Sequence, residues 1–303
     1  MKSGFIAVLG RPNVGKSSLI NALVGEKVSI VSPKAQTTRD RIMGILTTSE
    51  YQMVFVDTPG VHKSKNKLGD YMEKCVKGAT VDADAIVIVL DGTRKVSEQD
   101  KDFIEKYLKM NSPVYVVVNK TDEACFEKVY PILTELSYLC EATAYRKAVK
   151  EIVPTSAKRN KNVDTLKEML VKELKEGVAF FPEDEYTDKN ERYMICEIVR
   201  EKALMLLNDE IPHGIGVYLQ SMRYNETGVA EITVDVIVEK DTHKSIVIGK
   251  GGEKIKAIGE RARRDVEKLL DCKVFMEMFV KVRADWRDDK TVLNDIGYDT
   301  KNL

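Results

Sequence analysis

Apolar residues in the first half of this chain fall into short, nearly unbroken runs. Between the runs they recur every third or fourth position. Phe5–Leu9, Met53–Val56, Ala85–Leu90, Val114–Val118 and Glu151–Pro154 are rich in valine and isoleucine and mostly apolar on both faces. Strands of a parallel sheet covered on each side by helices have this pattern. Lys16–Leu23, Leu68–Ala79, Glu98–Lys109 and Val163–Glu176 carry helical periodicity. The alternation predicts a doubly wound α/β sheet, with a further edge strand expected around Gly44–Glu50.

The pattern changes after Glu176. The segment GVAFFPEDEYTDKN, residues 177–190, mixes glycine, proline and acids and reads as an inter-domain linker. Beyond it, Glu191–Asn208 reads as a helix. Gly216–Tyr224 and Val229–Val238 read as strands joined by a short turn. A short apolar helical piece then leads through a glycine turn into a long helix, and Lys273–Val282 closes the domain as a strand. The order α-β-β-α-α-β predicts a separate, smaller α+β domain over 191–285, after a nucleotide-type domain over 1–176, with 286–303 as a tail. There is no internal repeat and no low-complexity tract.

A chain of 303 residues has room for two domains of ordinary size, and 43% hydrophobic with 32% charged residues suits a folded, soluble protein. The formal net charge is zero, so any attraction to a polyanion has to be local. Five cysteines without C-x-x-C spacing read as reduced thiols of a cytosolic protein. The N-terminus enters a strand almost at once, unlike a signal peptide, and no apolar run approaches the roughly 20 residues of a membrane span.

Four motifs follow the strands in order. GRPNVGKS (Gly10, Arg11, Pro12, Asn13, Val14, Gly15, Lys16, Ser17), followed by Ser18, fits G-x-x-x-x-G-K-[ST] between strand and helix. Its backbone N–H groups and the helix N-terminus are expected to cradle phosphate. Lys16 should reach the β and γ phosphates, and the Ser17 hydroxyl should face magnesium. DTPG (Asp57, Thr58, Pro59, Gly60) places an acid for the same ion and a Gly60 N–H for the γ phosphate, although alone it is also good turn chemistry. NKTD, Asn119 to Asp122, selects the base. Asp122 can accept from N1 and N2 of guanine, Asn119 can brace the loop, and the Lys120 stem can cover the ring. TSAK brings Ser156, Ala157 and Lys158 to complete that pocket. Between the first two motifs, SPKAQTTRD is placed to close on nucleotide. Thr38 is the expected second hydroxyl for magnesium, with Thr37 the neighbouring alternative. Lys16, Thr38 and Gly60 are the expected catalytic contributors, and Ser17, Thr38, Asp57 and Asn13 the expected metal contacts.

In the second half, GKGG (Gly249, Lys250, Gly251, Gly252) separates two helical pieces. This G-x-x-G arrangement clamps nucleic-acid backbone in KH domains, and Lys254 is a further contact candidate. From Lys244 to Arg283 there are eleven Lys and Arg against six Asp and Glu, a local surplus that suits phosphate. Read alone, the same residues also describe a tight helix–helix turn with a solvated charged face. Trp286, the only tryptophan, reads as a packing anchor. The three histidines (His62, His213, His243) are scattered, with no metal-ligand spacing.

GRPNVGKS, SPKAQTTRD, DTPGVHK, NKTD, SIVIGKGGEKIKAIG and the KVRADWRDD…LNDIGY ending together resemble the Era family, bacterial GTPases with a C-terminal KH domain. The resemblance covers nearly the whole chain. It implies a Ras-like P-loop domain joined to a type II KH domain, with GTP, GDP and Mg2+ as ligands. It also implies binding to the 3′ end of small-subunit 16S rRNA and a role in late assembly of the small ribosomal subunit. A cytoplasmic monomer without an obligate protein partner, in peripheral contact with the inner membrane, is expected on the same ground. Val61 stands where Ras-type enzymes carry the glutamine that orients water, so intrinsic hydrolysis should be slow. Asn13 resembles the asparagine that helps hold potassium in related GTPases, and Arg39 is the less favoured charge donor in cis. Two other readings use the same motifs: an RNA-binding chaperone with a mainly structural nucleotide, and a GTPase partner of an RNA-modifying enzyme.

Overall fold

In a computed structural model that describes residues 1–34, 36–60, 66–142, 148–208 and 211–298, strand β1 (Lys2–Gly10) is the axis of a mixed seven-stranded sheet. Around it lie β2 (Ile42–Thr47), β3 (Tyr51–Asp57), β4 (Ala85–Asp91), β5 (Val114–Asn119) and β6 (Val149–Pro154), in the order β2-β3-β1-β4-β5-β6. All neighbours on this path are parallel except β2 and β3. The expected edge strand is thus β2. Both faces of β4 and β5 are buried, which explains their unbroken apolar sequence. Helices α1 (Lys16–Val24), α2 (Lys67–Thr80), α3 (Glu98–Leu108), α4 (Phe126–Ala142) and α5 (Val163–Val171) supply the crossovers.

Two differences from the sequence reading have local causes. Helix α4 is absent from that reading because Pro131 interrupts its periodicity. It persists because Ile132, Leu136 and Cys140 bury a stripe in the core shared with β4 and β5. Helix α5 stops at Val171, short of the expected Glu176. Tight bonds from Glu173 to Leu170 and from Leu174 to Val171 turn the chain, and β7 (Lys175–Glu176) pairs antiparallel with Lys2 and Ser3.

The chain divides into two compact units. The first comprises Met1–Val31, Thr38–His62 and Met72–Asp188. It therefore takes in most of the segment read as a linker. Both polar ends of the buried Gln52 side chain are held there: its Oε1 accepts from the N–H groups of Phe180 (2.6 Å) and Phe181 (3.0 Å), and its Nε2 donates to Phe181 O (2.9 Å). The Phe180 ring lies 4.8 Å from that of Phe5. Further on, Ile45 N–H donates to Tyr186 O at 3.0 Å and Met43 N–H to Asp188 Oδ1 at 2.8 Å. These bonds cover the outer edge of β2, which would otherwise present unpaired backbone.

The second unit comprises Ser32–Thr37, Lys63–Tyr71 and Lys189–Leu303. Its core lies between three strands and three helices. β8 (Gly216–Tyr224) runs antiparallel to β9 (Ala230–Val238), which runs parallel to β10 (Val274–Val282). A parallel pair needs a crossover, and α7 (Asp241–Ile248) with α8 (Glu253–Leu270) provides it. α6 (Glu191–Leu206) completes the expected α-β-β-α-α-β order. α8 buries Ile258, Ala262 and Val266, four residues apart, and leaves its other faces polar. The tail is part of this unit: Trp286 is fully buried, its indole N–H donates to Gly214 O at 3.0 Å, and α9 (Lys290–Asp295) follows. No helix among the described residues is long and apolar enough to cross a membrane.

Removing the indole should leave both a cavity and an unpaired carbonyl. Trp286→Ala should destabilise the second unit by about 3–5 kcal/mol, read as a lowered urea midpoint by far-UV circular dichroism. An unchanged midpoint would contradict the anchor role.

Candidate nucleotide site and nucleic-acid turn

The C-terminal ends of β1, β3, β4, β5 and β6 share one edge of the sheet, where doubly wound folds bind ligands. Gly10, Asp57, Asp91, Asn119 and Pro154 end these five strands. The four sequence motifs are therefore brought to one place by parallel pairing.

Asn119 ties the loops together. Its Nδ2 donates to Val14 O (3.1 Å), while its Oδ1 accepts from Ala157 N–H (3.0 Å). The phosphate loop, the NKTD loop and the TSAK loop thus share one buried amide. Gly15 has φ of 94°, and a Cβ there would lie 2.3 Å from Asn119 Nδ2, so only glycine permits the brace. Lys120 bridges Asn13 O (2.6 Å) and Asp91 Oδ2 (2.7 Å), which lays its stem across the phosphate loop. Ser156 Oγ donates to Asp122 Oδ1 at 2.6 Å. That bond, ahead of the nearby Lys158 and Arg159 charges, keeps the Asp122 carboxyl below its ordinary range. Asp122 is therefore an ionised acceptor, as recognition of guanine N1 and N2 requires. Lys158 itself pairs at the surface with Glu123, 3.6 Å away.

At the phosphate end, Lys16 is buried and its Nζ donates to the carbonyls of Gly10 and Arg11, both at 3.1 Å. Burial lowers its pKa to about 8, against the opposing pull of Asp57. Asp57 has no exposure. Its Oδ2 accepts from Ser17 Oγ at 2.8 Å and Thr38 Oγ1 at 3.4 Å, and the two hydroxyl oxygens lie 2.9 Å apart. Its Oδ1 is buried without a partner. Burial raises the Asp57 pKa, and Lys16 with the hydroxyl bonds opposes that rise. Two hydroxyls and a carboxylate, with one lone-paired oxygen left over, form a hard oxygen donor set that fits Mg2+. No cluster of His, Cys, Asp and Glu suited to a metal occurs among the described residues.

Several expected residues take other partners. Arg11 turns its guanidinium to Ser97 Oγ (3.2 Å), at the N-cap of α3, which leaves its backbone to face phosphate. Thr58 Oγ1 donates to Val8 O at 2.9 Å and holds the DTPG turn on β1. Pro59 and Gly60 are buried beside it, and a Cβ on Gly60 would meet Pro12 N at 2.7 Å. Thr37 Oγ1 donates to Lys34 O at 2.7 Å, so of the two candidate threonines only Thr38 offers its hydroxyl to Ser17 and Asp57. Arg39 is packed inside with 1% exposure. Asn13 is exposed with φ of 65°, and Ser18 lies in the first turn of α1. Val61 and His62 lie outside the described residues. Asp91 escaped the sequence reading; its signal was an acid ending β4 on the ligand edge.

In the second unit, Gly249, Gly251 and Gly252 all have positive φ (75°, 60° and 82°). A Cβ on Gly251 or Gly252 would meet nothing within 4 Å, so the turn presents open backbone ahead of α8. Lys250 is exposed and Lys254 half-buried. This geometry allows a phosphodiester to approach the backbone closely.

Residues 5–120 match the family described as 50S ribosome-binding GTPase, and residues 210–287 match the KH domain. The chain is 47% identical over 302 residues to the GTPase Era of Clostridium botulinum strain Loch Maree, covering all of this chain and 99% of that one. It is 46% identical over 297 residues to the GTPase Era of Clostridium novyi, covering 98% and 99%. Among solved structures it is similar to Era in complex with MgGDPNP and nucleotides 1506–1542 of 16S ribosomal RNA, at 38% identity and a TM-score of 0.91, covering 98% and 99% of the two chains. An Aquifex aeolicus Era variant bound to GDP·AlF4⁻ is similar at 39% identity, with the same score and coverage.

A neutral Lys16 should regain its proton when a polyphosphate arrives beside it. At about pH 8.5, binding of a guanine nucleotide should take up protons, and at about pH 6.5 it should not, because the ammonium is then already formed. Calorimetry in buffers of different ionisation enthalpy reads this difference; uptake that is the same at both pH values, or absent at both, would contradict the burial of Lys16.

Proposed function

The chain belongs to the Era family of GTPases, and we propose that it acts as a GTP-driven switch in late assembly of the small ribosomal subunit, in the cytoplasm, binding the 3′ end of 16S rRNA through its KH domain. The observation that carries this reading is the pairing, in one chain, of a complete guanine-nucleotide edge with an open G-x-x-G turn. A relative similar over nearly its whole length holds both kinds of ligand at once.

In this reading the N–H groups from Asn13 to Ser18 hold the phosphates, and Lys16 neutralises the β and γ oxygens. Ser17, Thr38 and Asp57 would hold Mg2+, which would supply charge stabilisation to the leaving phosphates. Gly60 donates its N–H to the γ phosphoryl group, and Thr38 holds its loop closed only while that group is present. The Asp122 carboxylate takes the guanine edge, Asn119 fixes the pocket, and the Ser156–Ala157 backbone covers the base oxygen. Asn13 would hold a potassium ion, which would supply positive charge beside the transferring phosphoryl group. Rates equal in sodium and potassium would remove Asn13 from that role. Gly249, Lys250, Gly251, Gly252 and Lys254 contact the RNA backbone.

Replacing Asp122 by Asn sets an amide donor against the guanine amine. GTP affinity should fall by about 3 kcal/mol, roughly a hundredfold, while RNA binding without nucleotide stays as it was. Unchanged GTP affinity would contradict the assignment. The reading as a whole is tested by GTP turnover in potassium buffer with an oligonucleotide of the 16S 3′ end and a scrambled control. Sequence-specific stimulation is expected. Bound RNA without stimulation would overturn the switch and leave the KH domain as a delivery module.

A further inference from the structure

Four charged residues of helix α6 are buried, among them Glu197, 5% exposed, and Arg200, 1% exposed, one turn apart. The Arg200 Nε donates to Glu197 Oε1 at 2.7 Å and its Nη2 to Glu197 Oε2 at 2.5 Å. The same Nη2 donates to the backbone carbonyl of Thr37, in the Ser32–Thr37 segment that belongs to this unit. Burial works against the Arg200 charge, but the Glu197 carboxylate outweighs it, so the guanidinium stays protonated. A buried ion pair of this kind is seldom worth more to stability than apolar side chains of the same volume. Its use is therefore to be sought elsewhere.

The residue it grips is the one before Thr38. The other chain stretch beside the nucleotide motifs is held in the same unit: Lys67 N–H donates to Asp288 Oδ1 at 3.0 Å, and the Tyr71 ring lies 5.6 Å from that of Tyr298. We infer that the Glu197–Arg200 pair is the positioning element through which the C-terminal unit reads the nucleotide state, by accepting the Thr37 carbonyl only while the Thr38 hydroxyl sits at Ser17 and Asp57. This rests on the switch reading above. When Thr38 withdraws, the Thr37 carbonyl withdraws with it, and a buried guanidinium N–H is left unpaired. Arg200 Nη1 has no partner even with the carbonyl in place, so a further loss is not readily absorbed. The penalty falls on one nucleotide state alone, which makes it a coupling energy rather than a stability term.

The experiment compares RNA affinity for the 16S 3′-end oligonucleotide with a non-hydrolysable GTP analogue and with GDP, in wild type, in E197Q/R200M and in R200K. Removing both charges together avoids a stranded carboxylate. In wild type the ratio of the two affinities should be on the order of 5- to 150-fold. In E197Q/R200M it should fall below about twofold, with GDP affinity and the circular dichroism spectrum retained, and R200K should restore part of it. A merely structural role would weaken RNA binding equally in both nucleotide states and keep the ratio; that result overturns the inference alone. A wild-type ratio of one overturns the switch reading and this inference with it. Should the double variant fail to fold, the Arg200 Nη2–H resonance of wild type, the donor to the Thr37 carbonyl, decides. Its solvent exchange should be slower with the GTP analogue than with GDP, and equal rates would overturn the inference.

Discussion

A carboxylate without solvent exposure sets the terms of the nucleotide edge. Asp57 ends β3 inside the protein, and a buried charge persists only when it is paired and hydrogen-bonded. Lys16 lends charge from within the phosphate loop, although burial lowers its own proton affinity. Ser17 and Thr38 complete one carboxylate oxygen, and the other has no protein partner. A cation at that oxygen would complete it, which is the place proposed for Mg2+. The position of the Thr38 hydroxyl beside Ser17 follows from the need to satisfy Asp57.

Asn119 imposes the second constraint. By bonding the phosphate loop and the TSAK loop at once, its amide fixes the distance between these two loops within the fold itself. Gly15 is needed because the brace passes where its Cβ would be. The Lys120 bridge to Asp91 and Asn13 O reinforces the same spacing. The carboxylate proposed to select the base, Asp122, is already oriented by Ser156. The second unit shows the same economy: a buried Trp286 fixes the tail, and three glycines leave the turn before α8 bare.

Much of this was legible in the sequence because it is local. The strand runs, the glycine spacings and the helix Glu253–Leu270 follow from residues close together in the chain. The sequence favoured Thr38 and kept Thr37 as its alternative; the folded loop, which gives the Thr37 hydroxyl to Lys34 O, separates them. The segment after Glu176 looked like a linker because its composition is that of one. Its attachment depends on Gln52, more than a hundred residues earlier, whose buried amide no local pattern announces. Helix α4 was hidden by Pro131 for the opposite reason: a local signal was strong, and tertiary burial overrode it. The Glu197–Arg200 pair reads as an ordinary i, i+3 surface pair until burial and the Thr37 carbonyl are seen.

Two buried charges, Asp57 and Arg200, thus act on neighbouring residues of one loop, and the central claim is that nucleotide and RNA bias the same segment. Amide hydrogen exchange across Gln36–Arg39 tests this most directly, measured with the GTP analogue alone, with the 16S 3′-end oligonucleotide alone, and with both. The account predicts slowed exchange with either ligand singly and the greatest protection with both. Protection by nucleotide together with no change on adding RNA would contradict it.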